Sequence, residues 1–189
     1  MASTTPRTRA EAKADNRRKV LAAAEAVFRR EGFHGASLDQ VAREAGFTKG
    51  AVYSQFDSKA DLFFALLEGR SHERVATVRR ITDEHGADAD PRTLVRAQAQ
   101  AFAASVSGEP DWWAVVIEFM SVVARNDELR ARYATHHERL RSAIAADAER
   151  WAAARGAAPA LDPRAIATAI IGATNGLTLE RLIAPDEVP

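Results

Sequence analysis

Residues 37–56 constrain the fold of this chain more than any other stretch, because they combine two short helix patterns with a tight corner. Ser37 suits the N-cap of the first helix, and Gln40 three residues later completes a capping box. Gly46 suits the left-handed position that ends a helix. The apolar residues between them recur at helical spacing and predict one buried stripe: Leu38, Val41, Ala42 and Ala45.

The second helix of this stretch is too short to be stable alone in water, so it has to dock on neighbouring elements. Thr48 is a suitable cap, and Val52 and Phe56 share the face that docks. The opposite face carries Lys49, Gly50, Tyr53 and Ser54. In helix-turn-helix geometry, such a face enters the major groove of DNA.

The predicted helix-turn-helix and its flanks resemble a known family. The stretch "SLDQVAREAGFTKGAVYSQFDSKADLF", preceded by "FRREGFHGA", is similar to the DNA-binding domain of the tetracycline-repressor (TetR) family. The resemblance covers roughly the first third of the chain, and Gln55 stands where many members have His. The matching positions are Gly32, Phe33, Ser37, Val41, Ala42, Ala45, Gly46, Gly50, Tyr53, Phe56, Lys59 and Leu62.

The resemblance implies which side chains contact DNA. Matching family residues contact phosphates, in a salt-sensitive way, at Ser37, Thr48, Tyr53 and Lys59. The residues that lie where the motif reaches base edges are Lys49, Gly50, Ala51 and Ser54. Lys49 can donate to guanine, the Ala51 methyl can pack on thymine, and Gly50 lets the backbone come close. Taken singly, Tyr53 or Lys59 would be an ordinary surface residue, whereas the joint spacing favours a DNA interface.

The charge of the chain is distributed unevenly. Its 189 residues include 26 Lys and Arg against 26 Asp and Glu, so the net charge is zero. Residues 1–60 hold 11 basic against 7 acidic side chains, whereas residues 61–189 hold 15 against 19. This asymmetry is typical of a chain whose amino-terminal part meets phosphate.

Three absences from the sequence narrow the class of protein and its compartment. The chain has no cysteine, which excludes disulfides and thiolate metal sites. Its N-terminus lacks the apolar core of a secretory signal, and no apolar run has the length of a membrane span. We therefore expect a cytoplasmic protein without membrane contact.

The helical pattern predicts an all-α chain in three parts. Residues 1–14 contain scattered Arg and Lys and are expected to form a flexible basic arm. Residues 15–60 are expected to form the three-helix DNA-binding domain. The resemblance implies that residues 61–189 form a helical ligand-binding and dimerisation domain.

The helices of the first domain are predicted from caps and apolar spacing. Asp15 or Asn16 is expected to cap the first helix, which runs to Glu31. A long fourth helix is expected to begin after Ser58 and to end near Glu84. The predicted core consists of Leu21, Ala24, Phe28, Leu38, Val41, Ala42, Val52 and Phe56.

A helix that is apolar almost all round is predicted over residues 111–125, and such a helix belongs inside a bundle. The resemblance implies that it and its neighbours enclose a ligand cavity, with plain core packing as the alternative for each aromatic residue. Because adjacent helical residues point about 100° apart, one of Trp112 and Trp113 is expected to face the cavity. The candidate walls are Phe102, Trp112, Trp113, Val116, Phe119, Met120, Tyr133, His136, His137, Leu140, Asn175 and Thr178.

The last predicted helix opens at Pro163 and contains small residues that permit close helix approach. These are Ala169, Gly172, Ala173 and Gly176, with Ile170, Ile171 and Leu177 as apolar anchors. In the family, the corresponding helix pairs with its copy in a second subunit, and a further helix usually follows. The sequence ends at Pro189 without that pattern, so either it is truncated or the dimer relies on fewer contacts.

Motifs of catalytic sites are absent from the sequence. His136 and His137 are adjacent on a predicted helix, whereas two helical metal ligands need a spacing of three or four residues. No His-Glu-x-x-His, Gly-x-Ser-x-Gly or phosphate-binding glycine loop occurs. We therefore expect no enzyme, no cofactor and no metal. The alternatives, a helical-bundle enzyme or a scaffold protein, leave the pattern at residues 37–56 unexplained.

The sequence and the resemblance together predict a transcriptional regulator, in this family more often a repressor than an activator. It is expected to bind a palindromic operator in double-stranded DNA as a homodimer. A small-molecule inducer is expected to release it.

Overall fold

The computed structural model describes residues 8–86, 88–159 and 161–187. Within those ranges the secondary structure is entirely α-helical, which confirms the predicted fold class. In chain order the helices are α1 (Arg9–Gly35), α2 (Leu38–Ala45), α3 (Lys49–Tyr53), α4 (Lys59–His85), α5 (Pro91–Gly108), α6 (Pro110–Val123), α7 (Asp127–Ala154) and α8 (Pro163–Ile183).

Helix α1 begins earlier than predicted. The Thr8 hydroxyl accepts a hydrogen bond from the Glu11 backbone N–H at 3.2 Å, and the Glu11 carboxylate accepts one from the Thr8 N–H at 2.8 Å. This reciprocal pair is a capping box, so the prediction of an N-cap at Asp15 or Asn16 is wrong. Asp15 instead lies inside the helix, where its carboxylate forms ion pairs with basic side chains one turn later.

The expected basic arm over residues 1–14 differs from the structure in its second half. Residues 9–14 belong to α1 and are helical. Residues 1–7 lie outside the described residues. The expectation of a flexible arm is therefore wrong for residues 9–14.

Helix α1 is interrupted at Gly32, close to its predicted end. The backbone of Gly32 has φ 70° and ψ 175°, a conformation that glycine adopts without a steric penalty. One more helical turn follows to Gly35, and the Ala36 N–H donates to the Gly32 carbonyl at 3.3 Å. The carbonyl groups of this last turn matter for the site described below.

The helix-turn-helix forms where the sequence predicts it. Ser37 caps α2, and its hydroxyl accepts from the Gln40 N–H at 3.3 Å. Gly46 ends α2 in the left-handed conformation with φ 71°, which fits its predicted role. Thr48 caps α3 by accepting from the Ala51 N–H at 3.2 Å.

The chain divides into two compact units, Met1–Leu67 and Glu68–Pro189, and the boundary falls within α4. The first unit is therefore longer than the predicted 15–60 domain. In its core, the Phe28 ring lies 5.1 Å from the Phe63 ring and 5.8 Å from the Phe33 ring. The predicted core residues are buried, except Leu21, which is half-buried.

In the second unit, α7 packs against α8, and α6 contacts both. Side-chain caps begin three of its helices: Asp90 accepts from Thr93 N–H at 3.1 Å, Asn126 from Leu129 N–H at 3.0 Å, and Asp162 from Ala165 N–H at 3.3 Å. Helix α6 is the most buried element of the unit, as its nearly continuous apolar sequence predicts. Its buried residues are Trp112, Trp113, Val115, Val116, Phe119 and Val123.

Candidate functional site

Helix α3 presents a polar face to solvent. Its docking residue Val52 is fully buried, which fixes the orientation of the helix. Tyr53 on the opposite side is 48% exposed, and its hydroxyl has no hydrogen bond to any other described residue. Ala51 is half-buried. The other predicted base-reading positions are exposed: Lys49, Gly50 and Ser54.

Lys49 is engaged by a neighbouring helix in this structure. Its ammonium forms an ion pair with the Asp39 carboxylate of α2. The side chain of Lys49 is 65% exposed and that of Asp39 is 35% exposed, so water screens the pair. The predicted contact of Lys49 with a base edge would therefore require its ammonium to leave Asp39.

The serine and threonine hydroxyl groups of the predicted interface all have intramolecular partners. The Ser37 hydroxyl donates to the Gln40 side-chain oxygen at 2.7 Å, and the Ser54 hydroxyl donates to the Ala51 carbonyl at 3.0 Å. The Thr48 hydroxyl accepts from the Ala51 N–H, so its own hydrogen is left to donate. Of these three exposed side chains, Thr48 is the one whose hydroxyl can donate without giving up a bond.

Lys59 holds the end of α1. Its ammonium donates to the carbonyl oxygens of Phe33 at 2.8 Å, His34 at 2.9 Å and Ala36 at 3.3 Å. A lysine ammonium has three N–H donors, so these three bonds use all of them. Lys59 thereby ties the start of α4 to the last turn of α1, and its contact with phosphate stays a prediction.

A second cluster of polar and aromatic side chains lies within the second unit, around Arg74 of α4. The Arg74 guanidinium carbon lies 4.8 Å from the centroid of the Trp113 ring and 5.6 Å from that of Phe102. The Phe102 and Trp113 rings meet edge to face at 5.9 Å. Burial lowers the pKa of Arg74, and the nearby charge of Arg70 lowers it further. We refer to Arg74, Phe102, Trp113, Tyr133, His136 and His137 as the Arg74 cluster.

Helix α7 contributes three neighbouring rings to the Arg74 cluster. The Tyr133 ring lies 4.4 Å from that of His137 and 6.1 Å from that of His136. His136 Nε2 lies 3.2 Å from the Ser71 hydroxyl of α4. Burial, helped by His136 and Arg141, lowers the pKa of His137 to about 4.

The remaining titratable rings of this cluster are also neutral near pH 7. Burial lowers the pKa of His136 and raises the pKa of Tyr133. Because His137 is neutral as well, Arg74 carries the positive charge of the cluster.

The two adjacent tryptophans of α6 contact different arginines. The Arg70 guanidinium lies 4.3 Å from the Trp112 ring and forms a two-pronged ion pair with Glu109, with one of its N–O distances at 3.1 Å. Trp113 faces Arg74 instead. Their divergence agrees with the angle predicted for neighbouring helical residues.

Five of the predicted ligand-site residues belong to the Arg74 cluster, in two sets: Phe102 contacts Trp113, and Tyr133 contacts His136 and His137. The two sets are linked by Arg74, whose charge acts on Tyr133 and His136. Trp112, Val116 and Phe119 are buried, while Met120 and Leu140 are half-buried. The Thr178 side chain is also buried, and its hydroxyl donates to the Thr174 carbonyl at 2.7 Å. Asn175 is exposed on α8 rather than enclosed. A ligand site at all of these residues stays a prediction.

Sequence reasoning missed Arg70 and Arg74. A signal was present, because they continue the spacing of the apolar stripe of α4, in which Phe63 and Leu67 precede them and Val78 follows. A charged residue in such a register either extends to water or finds a buried partner. Sequence alone does not distinguish the two.

Helix α8 exposes an apolar face. Ile170 is 42% exposed, Leu177 53% and Leu179 43%. The small residues predicted to allow close approach are all exposed beside them: Ala169, Gly172, Ala173 and Gly176. Ile171, predicted as an anchor of the same face, is buried within the unit instead.

Two features, a membrane-spanning helix and a cluster of metal-binding side chains, are absent from the described residues. Among residues 8–86, 88–159 and 161–187, no helix has both the length and the hydropathy needed to cross a bilayer. In the same part of the chain, no group of three or more His, Asp or Glu side chains is arranged to hold a metal ion.

The fold and the exposed face of α3 define a helix-turn-helix protein with a larger helical second unit, and comparisons with known proteins agree with this class. Residues 20–66 match the family described as "Bacterial regulatory proteins, tetR family". Residues 91–189, more than half of the chain, match "BetI-type transcriptional repressor, C-terminal". The chain belongs to the TetR family of bacterial regulatory proteins.

Individual relatives support this membership. The transcriptional regulator TtgW of Pseudomonas putida is 46% identical over 66 residues, which are 35% of this chain and 48% of TtgW. The chain thus spans about half or less of the length of the first curated relatives it matches.

Solved structures share the fold over nearly the whole chain. A TetR-family regulator from Mesorhizobium loti has a TM-score of 0.71 at 22% identity, over 94% of this chain and 87% of that one. The regulator FadR of Bacillus subtilis, solved in complex with stearoyl-CoA, has a TM-score of 0.65 at 15% identity, over 90% and 89% of the two chains. At these identities the likeness concerns the fold alone.

Proposed function

We propose that this protein is a ligand-responsive transcriptional regulator, in the first instance a repressor, that binds a palindromic operator as a homodimer. The observation that carries this proposal is the exposed polar face of α3, held in place by the fully buried Val52. A short helix with a fixed orientation and an exposed polar face suits insertion into the major groove. The proposed compartment is the cytoplasm, where a bacterial regulator meets its DNA.

The contacts proposed with the operator are assigned to exposed side chains whose hydrogen-bond donors can reach DNA. Tyr53 and Thr48 are exposed and can donate to phosphates without losing an intramolecular bond. Lys49 is proposed to leave Asp39 and to donate to a guanine, since an exposed ion pair costs little to break. Gly50 is proposed to let the helix backbone approach the groove, with Ala51 and Ser54 next to it.

Ser37 and Lys59 are proposed to act mainly by positioning the motif. The Ser37 hydroxyl is used by Gln40 at the start of α2, and the Lys59 ammonium is used by the last turn of α1. Their loss would disturb the orientation of the helices that present α3. This refines the phosphate contacts that the family resemblance implies for both residues.

The homodimer is proposed to form through α8. Its small residues allow two helices to approach closely, and the exposed Leu177 and Leu179 would lose contact with water. Two copies are required because a palindromic operator has two half-sites about one helical turn apart. In this proposal each copy supplies one α3.

Release by a ligand is proposed to begin in the second unit, where the Arg74 cluster combines a charge with aromatic surfaces. The proposed route is α4, whose residues belong to both units. A ligand shifts the equilibrium only if it binds the non-operator conformation more tightly than the operator-bound one. The match to a repressor family over residues 91–189 supports this part.

The deciding experiment is a binding titration of the full-length protein with labelled duplexes from the region just upstream of its own coding sequence. At about 150 mM salt, we expect the specific duplex to bind at least about a thousandfold more tightly than a scrambled one. The affinity should fall steeply as salt rises. Equal affinity for both duplexes, or no binding to any, would reject the proposal and favour a scaffold or an enzyme.

A further inference from the structure

The charges of the Arg74 cluster do not balance. Arg70 is neutralised by its two-pronged pair with Glu109. No carboxylate of the described residues forms an ion pair with Arg74. Because Tyr133, His136 and His137 are neutral near pH 7, one positive charge is left among aromatic rings.

A hydrogen-bond donor in the same cluster lacks an acceptor. Trp113 is 5% exposed, and its indole Nε1–H is buried without a hydrogen-bond partner among the described residues. Leaving such a donor unpaired in the interior costs free energy. Its ring is the one that the Arg74 guanidinium covers, so a charged donor and an unpaired neutral donor lie on neighbouring groups.

The surfaces around these donors are flat and apolar. The rings of Phe102 and Trp113 meet edge to face, and the rings of Tyr133 and His137 are in contact with their planes tilted by 34°. Arg74, Phe102, Tyr133 and His137 are only half-buried, so the cluster is reached from solvent. Aromatic rings favour offset or edge contacts with another aromatic ring.

We infer that the Arg74 cluster binds a small aromatic monocarboxylate, with the carboxylate on Arg74 and the aromatic body against Phe102, Trp113 and Tyr133. Arginine suits this task because its planar fork donates two parallel hydrogen bonds to one carboxylate. The Trp113 N–H supplies a further donor for the same anion. A single negative charge matches the single uncompensated positive charge.

The electrostatics argue against two other ligand classes. A cationic ligand would bring a second positive charge next to Arg74, at a site where no free carboxylate of the described residues balances it. A neutral aromatic ligand would leave Arg74 desolvated without an anion, which is unfavourable for a charge among rings. The monocarboxylate satisfies both the charge and the unpaired donor.

This inference rests on the proposed function, since it names the chemical class of the effector, but its first test needs no DNA. The full-length protein is titrated by calorimetry and by tryptophan fluorescence with cinnamate, cinnamamide and decanoate. We expect cinnamate to bind at least about tenfold more tightly than cinnamamide, because the amide lacks the charge. We expect decanoate, which keeps the carboxylate and lacks the ring, to bind more weakly than cinnamate.

Variants then assign the preference to Arg74. Arg74→Met keeps the length of the side chain and removes its charge, and we expect it to abolish the preference for cinnamate over its amide. Arg74→Lys keeps the charge without the planar fork and should restore part of that preference. Arg96→Met, the same change at an exposed position of α5, is the matched control and should bind like the wild type.

The outcomes that would overturn the inference are definite. If cinnamate and cinnamamide bind equally, the site does not recognise the negative charge. If cinnamate and decanoate bind equally, the site does not recognise the aromatic ring. Either result contradicts the inference. Absence of binding by every acid rejects the site. The comparison of cinnamate with cinnamamide uses the wild-type protein, so it tests the inference even if Arg74→Met does not fold. Carboxylate binding without any operator binding would reject the proposed regulator and leave this site standing.

Discussion

Lys59 contacts Phe33 in two ways. Its ammonium donates a hydrogen bond to the Phe33 carbonyl at 2.8 Å and lies 4.8 Å from the centroid of the Phe33 ring. The same ammonium also bonds to the carbonyl groups of His34 and Ala36. Charged donors near the last carbonyl groups of a helix are favourable because they complement the helix dipole. Lys59 therefore has an intramolecular role beside the phosphate contact that the resemblance predicts for it.

We expect Lys59→Met to destabilise the protein by about 1–3 kcal/mol, because carbonyl groups at the end of α1 lose a charged donor. The free energy of unfolding is measured by urea denaturation. Lys13→Met, at an exposed position on the first turns of α1, is the control and should change stability by less than about 0.5 kcal/mol. A loss no larger than that of the control would contradict the positioning role.

The same variant separates positioning from phosphate contact. If Lys59 only positions α1, its loss weakens DNA binding without changing the dependence of affinity on salt. A direct phosphate contact would instead reduce the salt slope by about one.

Tyr53→Phe, which removes only an exposed hydroxyl, is expected to weaken the binding of all operators alike by about 1 kcal/mol.

Gly50→Ala is expected to separate stability from DNA binding. A Cβ at Gly50 would meet no atom within 4 Å, so the folded protein has room for a methyl group. The change should raise stability by up to about 1 kcal/mol, because alanine favours the helix. It should weaken operator binding at least about tenfold if the duplex approaches the backbone closely, since overpacked contacts cost about 1–3 kcal/mol.

Gly69→Ala is the matched control for that variant. Gly69 lies on α4 in the second unit, and a Cβ there also meets nothing within 4 Å. It should gain similar stability and leave operator binding unchanged. If Gly50→Ala binds the operator as the wild type does, the proposed close approach of α3 is wrong.

Asp39→Asn is expected to strengthen DNA binding. The substitution frees the Lys49 ammonium and removes a negative charge from the surface that is proposed to face phosphates. Stability should change by less than about 1 kcal/mol, because the ion pair is exposed.

Lys49→Ala should alter the order of affinities for different operator sequences, measured over a panel of duplexes. A uniform loss over the whole panel would contradict base reading by Lys49.

The turns of the first unit were predictable because their signals are local. Ser37, Gly46 and Thr48 act on backbone groups within a few residues, and the structure places each in its predicted role. The Thr8 and Glu11 capping box is equally local. It was missed because neighbouring charges and small polar residues resemble a solvated tail.

The partners of long charged side chains were not predictable. Lys59 bonds to carbonyl groups more than twenty residues earlier, and Arg74 meets rings from α5 and α6. Neither pairing has a fixed sequence spacing, because tertiary packing decides it. For the same reason the sequence grouped Asn175 with buried aromatic residues, whereas α8 exposes it.

Acid is expected to destabilise the second unit through His137. The pKa of His137 in the folded protein is lowered from 6.5 to about 4 by burial, His136 and Arg141. Between these values the unfolded chain binds more protons than the folded one, so stability falls as pH falls. His137→Gln should reduce the loss of stability between about pH 7 and pH 4 by on the order of 2 kcal/mol.

The control for this pH dependence is Ala134→Gln, a change at an exposed position of α7 that adds and removes no titratable group. Its loss of stability over the same range should equal that of the wild type. Urea denaturation at a series of pH values measures both variants. An unchanged pH dependence in His137→Gln would show that this imidazole remains accessible to protons in the folded state.

A charge on the exposed face of α8 is expected to separate the proposed dimer. Ala173 lies on that face among small residues, and a glutamate there would be desolvated without a partner when two copies meet. Ala173→Glu should therefore sediment as a monomer at concentrations where the wild type is a dimer. Ala104→Glu, at an exposed position of α5, should sediment as the wild type does. A dimeric Ala173→Glu would place the interface elsewhere.

The same variant tests whether operator binding needs two copies of the chain. If Ala173→Glu is monomeric and also loses operator binding, two copies of α3 are needed to bind a palindromic site, because one half-site alone supplies too few contacts.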